Sequence, residues 1–425
     1  MPAAALRSAP QPIAVIDLVA LSAGLLDERT PRLLRFAREH APGGEFRTLR
    51  PPLPAVTCTV QSTMLTGRGP SEHGAVANGW FDRDLGELLM WRQSNRLVRG
   101  ERAWETARRI DPAVTCANLC WWYAMGGSQE VSLTPRPIYA ADGRKIPDCW
   151  TKPAELRDEL QRVLGPFPLF QFWGPAAGIA SSRWIAEAAK IVWRRHAPTI
   201  SLVYLPHLDY DLQRFGPDDP RIAKSLAEID AVAGDLIEFY AAAGVKPIVL
   251  SEYGIVPVRG EVAINRELRR LGSLRVRSEK GREVLDPFAS EAFAVVDHQV
   301  AHLYARGDDS RRRRIAEHLR GVDGVAEVLE GESLAAAGLG HPRSGDLVAI
   351  ARPDRWFSWG HWLEDAKAPD YARCVEIFRK SGFDPCELHF DPAVRFPRVA
   401  VGWRLLKKAL GQRVLMDLIP LDGSL

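Results

Sequence analysis

The stretch that decides the fold runs from Thr199 to Gly254: TISLVYLPHLDYDLQRFGPDDPRIAKSLAEIDAVAGDLIEFYAAAGVKPIVLSEYG. Thr199 to Leu205 is an apolar, partly β-branched run and reads as a buried strand. A polar loop, PHLDYDLQRFGPDD, follows it directly. From about Pro220 to Gly244 the residues Ile222, Leu226, Ile229, Val232 and Ile237 recur at helical spacing, which predicts a long helix with one inner face. Lys246 to Leu250 is the next strand, and SEYG comes straight after it. Strand, loop, long helix and strand make a βαβ unit, hence a parallel sheet. Ligands of such sheets bind at the carboxyl ends of the strands. The polar residues just beyond those ends are therefore the first candidates: His207 and Asp211, then Glu252.

Outward from this unit, Pro12 to Val19 reads as another buried strand, ending near Asp17, and Pro31 to His40 as a helix. Gly86 to Arg109 reads as mostly helical. Ala113 to Leu119 reads as a strand leading to the aromatic run Trp121-Trp122-Tyr123. Pro and Gly punctuate 131–148, which predicts an extended insertion. The expected organisation is a core over 10–256 and 341–395 with an insertion at about 87–181 lying over the site. A smaller α+β portion is expected over 257–340, containing Asp297 and His298, and a tail over 396–425. That tail carries a helix with a basic face beside an apolar one. It suits either packing on its own domain or peripheral contact with a membrane.

The second informative stretch is PAVTCTVQSTMLTGRGPSEHGAVANGWFD, Pro54 to Asp82. Pro54 bars a helix immediately before it, and Gly67 suits a helix C-terminus. A short helix from about Thr59 to Leu65 is expected, with Thr57 at its first turn. Amide groups at a helix start favour anions, and a hydroxyl there can attack a phosphoryl group if a metal lowers its pKa. The same threonine is equally open to a plain capping role.

Composition narrows the classes. With 46% hydrophobic and 26% charged residues the 425-residue chain is an ordinary globular one, and a net charge of +3 gives no footprint for nucleic acid. Six cysteines show neither a paired framework nor a zinc spacing, and no export signal is evident, so a cytoplasmic location is expected.

Taken together, Thr57, the HLDYD loop, the SEYG turn and the Pro70–Asn78 segment PSEHGAVAN resemble the alkaline phosphatase superfamily. The type I phosphodiesterase/nucleotide pyrophosphatase group is the nearest branch. The PHLDYDLQRFGP, LSEYGI and DHQVAH segments are similar to those of a bacterial subgroup with altered metal-ligand motifs. The resemblance implies an α/β fold with a mainly parallel sheet flanked by helices, and a metal-dependent phosphoester hydrolase acting through a phospho-threonine. Thr57 would be the nucleophile, and Asn78 and the Cys58 N–H would hold the phosphoryl oxygens. It also implies one or two divalent ions, zinc or manganese, held by His207, Asp211, Glu252, His298 and Asp17. Trp121, Trp122 and Arg136 are expected to cover the leaving group of a small-molecule phosphoester, a lipid-related one among the options. Two family ligand positions differ: Tyr253 stands for a histidine, and Phe378 occupies the region of the last one, for which His302, His361 and His389 are alternatives. Two further readings follow from those changes: a lapsed enzyme that binds a phosphorylated ligand or partner, and a phosphoryl or headgroup transferase.

Overall fold

A computed structural model describes residues 10–140, 145–174, 176–369, 372, 393–412, 414 and 423–424. Phe378 and His389 lie outside the described residues.

The main sheet has six strands: β1 (Ile13–Leu18), β2 (Cys116–Leu119), β3 (Val131–Pro135), β4 (Cys149–Lys152), β5 (Ile200–Leu205) and β6 (Lys246–Leu250). Their order across the sheet is β6-β1-β5-β2-β3-β4. All neighbours are parallel except the β3–β4 pair at one edge. The βαβ unit is present, with helix Ile222–Ala242 between β5 and β6. Ile222, Leu226, Ile229, Ala233, Leu236 and Tyr240 of that helix are buried in the main core, the inner face that the helical spacing predicts. In register, Asp17 pairs with Tyr204 on one side and Leu250 on the other. The carboxyl ends of β6, β1 and β5 therefore meet at one level.

A second, antiparallel sheet of four strands is formed by β7 (Ala292–Asp297), β8 (Val300–Ala305), β9 (Val325–Glu330) and β10 (Leu347–Ala351), in the order β7-β8-β10-β9. It has its own apolar core around Phe293, Leu303, Ile315 and Leu347.

Three expectations change here. The region 87–181 is not an insertion over the sheet, because β2, β3 and β4 are part of the sheet itself. The strand at 347–351 was expected in the core, yet it lies between β8 and β9 of the second sheet. Gly86 to Arg109 is only partly helical: Gly79–Asp82 and Glu87–Met90 form a hairpin, and the helix is confined to Ala103–Ile110. Gly86, at φ +67°, closes that hairpin and interrupts the helical spacing.

Candidate active site

Helix α1 (Thr57–Thr66) starts at Thr57 itself, with Val56 as its extended N-cap and Gly67 in the left-handed conformation at its end. Thr57 is thus the first helical residue, and its hydroxyl donates to Glu252 Oε1 at 2.8 Å. Glu252 comes from the turn after β6, and Asp17 from the end of neighbouring β1. Both carboxyls are buried. Asp17 Oδ1, Asp17 Oδ2 and Glu252 Oε2 have no well-formed hydrogen bond, although Glu252 and Gln61 approach Asp17. Burial pushes Asp17 up to about 8, against smaller lowering effects of Glu252 and Gln61. Burial, then the charge of Asp17, pushes Glu252 well above the usual carboxylate range. Two adjacent buried carboxylates can stay ionised together only beside a cation.

Asn78 sits at the same, N-terminal end of α1. Its Oδ1 accepts from the Cys58 N–H at 3.0 Å, and its own N–H and Nδ2 donate to Asp297 at 2.7 and 3.2 Å. Asp297 is pushed up to about 7 by burial, partly offset by Asn78. The Cys58 N–H, expected to hold a phosphoryl oxygen, is already engaged by Asn78. Asp297, at the end of β7, fixes which way the amide faces.

A cavity of about 40 Å³ opens on Thr57, walled by Trp91, Trp122, Phe172, Trp173, Tyr204 and Tyr210, with Asp209, Gln213, Tyr253 and His298 also in its lining. That is room for roughly three waters. Trp122 packs against Trp91 at 5.3 Å and Trp173 at 5.5 Å between ring centroids. The lining holds no Lys or Arg. A larger cavity, about 660 Å³, lies beside edge strand β6; it reaches Glu252 and Tyr253 but not Thr57.

The expected metal-ligand set does not assemble. The segment read as a loop after β5 is helix α2 (His207–Phe215). Residues four apart share a helix face, whereas residues two apart point differently. His207 and Asp211 therefore face away from Thr57. His207 Nε2 is 3.2 Å from Glu228. Asp211 is held by Arg214 Nη1 at 2.6 Å and Ser225 Oγ at 2.5 Å. Asp209 and Gln213 instead face the cavity and bond each other at 2.8 Å. Tyr253, in place of an imidazole, donates its hydroxyl to Asp209 Oδ1 at 3.0 Å. His298 does reach the cavity, from the turn between β7 and β8, at φ +56°. His302 is held between the Val76 carbonyl and the Gly345 N–H, both at 3.1 Å, and His361 faces the Glu283 carbonyl at 3.1 Å. Among the described residues no three His, Cys, Asp or Glu side chains gather as a metal-holding group. What remains is Asp17, Glu252 and the Thr57 hydroxyl. This all-oxygen set, with unsatisfied oxygens, fits one hard divalent ion completed by water, and not an imidazole-rich zinc pair.

Of the expected cover, Trp122 lines the cavity, Trp121 is buried in the main core, and Arg136 is exposed and turned to Met125 Sδ. Asp209, Gln213, Trp91, Trp173 and Tyr204 were not singled out by the sequence. For Asp209 and Gln213 the signal was there, in the i,i+4 spacing of a helix misread as a loop.

A mainly parallel α/β sheet flanked by helices, with a helix-start hydroxyl and acidic side chains at its carboxyl edge, has the alkaline phosphatase-like fold. The chain belongs to the type I phosphodiesterase / nucleotide pyrophosphatase family, whose sequence profile matches residues 13–384. It is 27% identical over 240 residues to an uncharacterized pyrophosphatase/phosphodiesterase of Schizosaccharomyces pombe, covering 54% of this chain and 41% of that one. The chain thus matches about two-fifths of that relative's length. Among solved structures it is similar to phosphonoacetate hydrolase from Sinorhizobium meliloti in complex with phosphonoformate, with a TM-score of 0.58, 17% identity and 84% of each chain covered. It is also similar to murine ectonucleotide pyrophosphatase/phosphodiesterase 5, an inactive threonine-to-alanine variant in complex with AMP. There the TM-score is 0.56 at 14% identity, covering 83% of this chain and 82% of that one.

Proposed function

We propose that this chain hydrolyses a phosphate mono- or diester by way of a phospho-threonine at Thr57, with one divalent ion held by Asp17 and Glu252. The observation that carries the reading is the Thr57 hydroxyl, at the start of a helix, hydrogen-bonded to one of two buried carboxyls whose remaining oxygens have no well-formed hydrogen bond. The family generally depends on divalent metal. A bound ion would neutralise the carboxyl pair and favour the threonine alkoxide. In the first step Thr57 Oγ1 forms a bond to phosphorus, the ester oxygen leaves, and Glu252 Oε1 is placed to take the hydroxyl proton. In the second, water attacks phosphorus, the Oγ1–phosphorus bond breaks, and the proton returns to Thr57. Asn78, held by Asp297, positions the Cys58 end of the helix and offers its remaining amide hydrogen to a phosphoryl oxygen. The aromatic walls exclude water around the reacting atoms. The oxygen-only donors favour magnesium or manganese over zinc.

A second reading is favoured by a separate observation. His207 and Asp211 are committed to Glu228, Arg214 and Ser225, and Tyr253 to Asp209. A family member so altered could bind a phosphorylated ligand without turning it over. Turnover of p-nitrophenyl and bis-p-nitrophenyl phosphate with magnesium or manganese separates the two. The hydrolase reading expects turnover that Thr57→Ala removes and Thr57→Ser partly keeps. No turnover by a protein that still binds phosphate would leave the binding reading.

A further inference from the structure

Helix α3 (Pro397–Ala409) buries none of its residues. Phe396, Val399, Trp403, Leu406 and Leu410 are between 49% and 70% exposed. At 100° per residue these five fall within an arc of roughly 80°, so they form one apolar stripe. Outside the stripe lie Arg395, Arg398, Arg404, Lys407 and Lys408, together with one further exposed apolar side chain, Leu405, on the opposite face, and there is no Asp or Glu from 393 to 412. This segment therefore carries +5, while the remainder of the chain carries −2. The charge is concentrated beside the stripe: Arg395 lies over the Phe396 ring at 5.5 Å and Lys407 over the Trp403 ring at 5.4 Å.

We infer that this helix is a docking surface for an anionic lipid bilayer, lying in the headgroup plane with Phe396, Val399, Trp403, Leu406 and Leu410 inserted. An apolar stripe with an interfacial tryptophan, flanked by cations and by no Asp or Glu of the same segment, matches the negative surface and apolar interior of such a bilayer. No helix among the described residues is long and apolar enough to cross a membrane, so the contact is one of lying on the surface. The inference does not depend on the proposed hydrolysis.

The test is co-sedimentation of the full chain with vesicles of phosphatidylcholine alone, or with about one-third phosphatidylglycerol. Binding is expected to the anionic vesicles only, and to collapse in high salt. Lys407→Gln with Lys408→Gln should weaken it about fivefold per charge, and Trp403→Ala with Leu406→Ala should abolish it. Because none of the substituted side chains is buried, both variants should keep the wild-type circular dichroism and thermal midpoint, which makes a loss of binding interpretable. Equal binding to both vesicle types, indifference to the variants, or no binding would overturn the inference. So would self-association, seen by light scattering without vesicles and removed by the same variants.

Discussion

Asp17→Asn is expected to make the ion-free protein more stable while removing its response to divalent ions. Asp17 is wholly buried beside Glu252, and neither of its oxygens has a well-formed hydrogen bond. With Asp17 held up to about 8, the ion-free folded chain must bind a proton near pH 7 that the unfolded chain does not hold, and an always-neutral group of the same shape removes a cost of about 1–4 kcal/mol. At roughly 2 °C per kcal/mol for a large chain, the thermal midpoint in chelator should rise by roughly 2–8 °C. Wild type should instead gain from magnesium or manganese: an ion at a hundredfold excess over its Kd adds about 2.7 kcal/mol, or roughly 5 °C. Asp17→Asn should show little of that gain, since it has lost half of the anionic donor pair. The assay is thermal unfolding of both proteins near neutral pH, with chelator and with each ion. If Asp17→Asn were less stable in chelator, and both proteins shifted equally with the ion, the carboxyl pair would not be an ion site and the reasoning would fail.

Other perturbations separate chemistry from scaffold. Asp297→Asn should lower turnover by roughly ten- to a hundredfold with the fold intact, because it releases the Asn78 amide; wild-type kinetics would contradict that role. Asp211→Asn should cost about 3–5 kcal/mol in urea unfolding by depriving buried Arg214 of its carboxylate, with ion affinity unchanged; a selective loss of ion binding would return Asp211 to the site. His302 should contribute a loss of stability as pH drops from 6.5 toward 4, opposed in the same window by the raised carboxyls Asp17 and Asp297. Burial brings His302 down to about 4, below its unfolded value, so at this residue the unfolded chain binds the extra proton in that window. The component is on the order of 3 kcal/mol, and it is read as the difference in pH dependence between wild type and His302→Gln; identical pH dependence of the two would contradict it.

The parallel core was legible because its signals are local and redundant. β5, the long helix and β6 each carry one clear periodicity, and their order admits one topology. Thr57, Asp17 and Glu252 were legible as strand-end and helix-start residues. The faces of HLDYD were not: a helix beginning at His207 turns His207 and Asp211 away from Asp209 and Gln213, and a segment taken as a loop has no faces. The place of β10 was hidden for another reason. A short apolar strand such as LVAIA suits either sheet, and only tertiary pairing with Ala301 and Val328 decides between them. Trp91 and Trp173 join Trp122 from well before and well after it in the sequence, a contact that no spacing announces.

The most direct measurement is to quench the protein in acid during turnover of an aryl phosphate ester with magnesium or manganese and map phosphorylation by peptide mass spectrometry. A phosphoryl group on the peptide bearing Thr57, and on no other, is the predicted result. Turnover with no phosphopeptide, or with the phosphoryl group on another residue, would contradict the account.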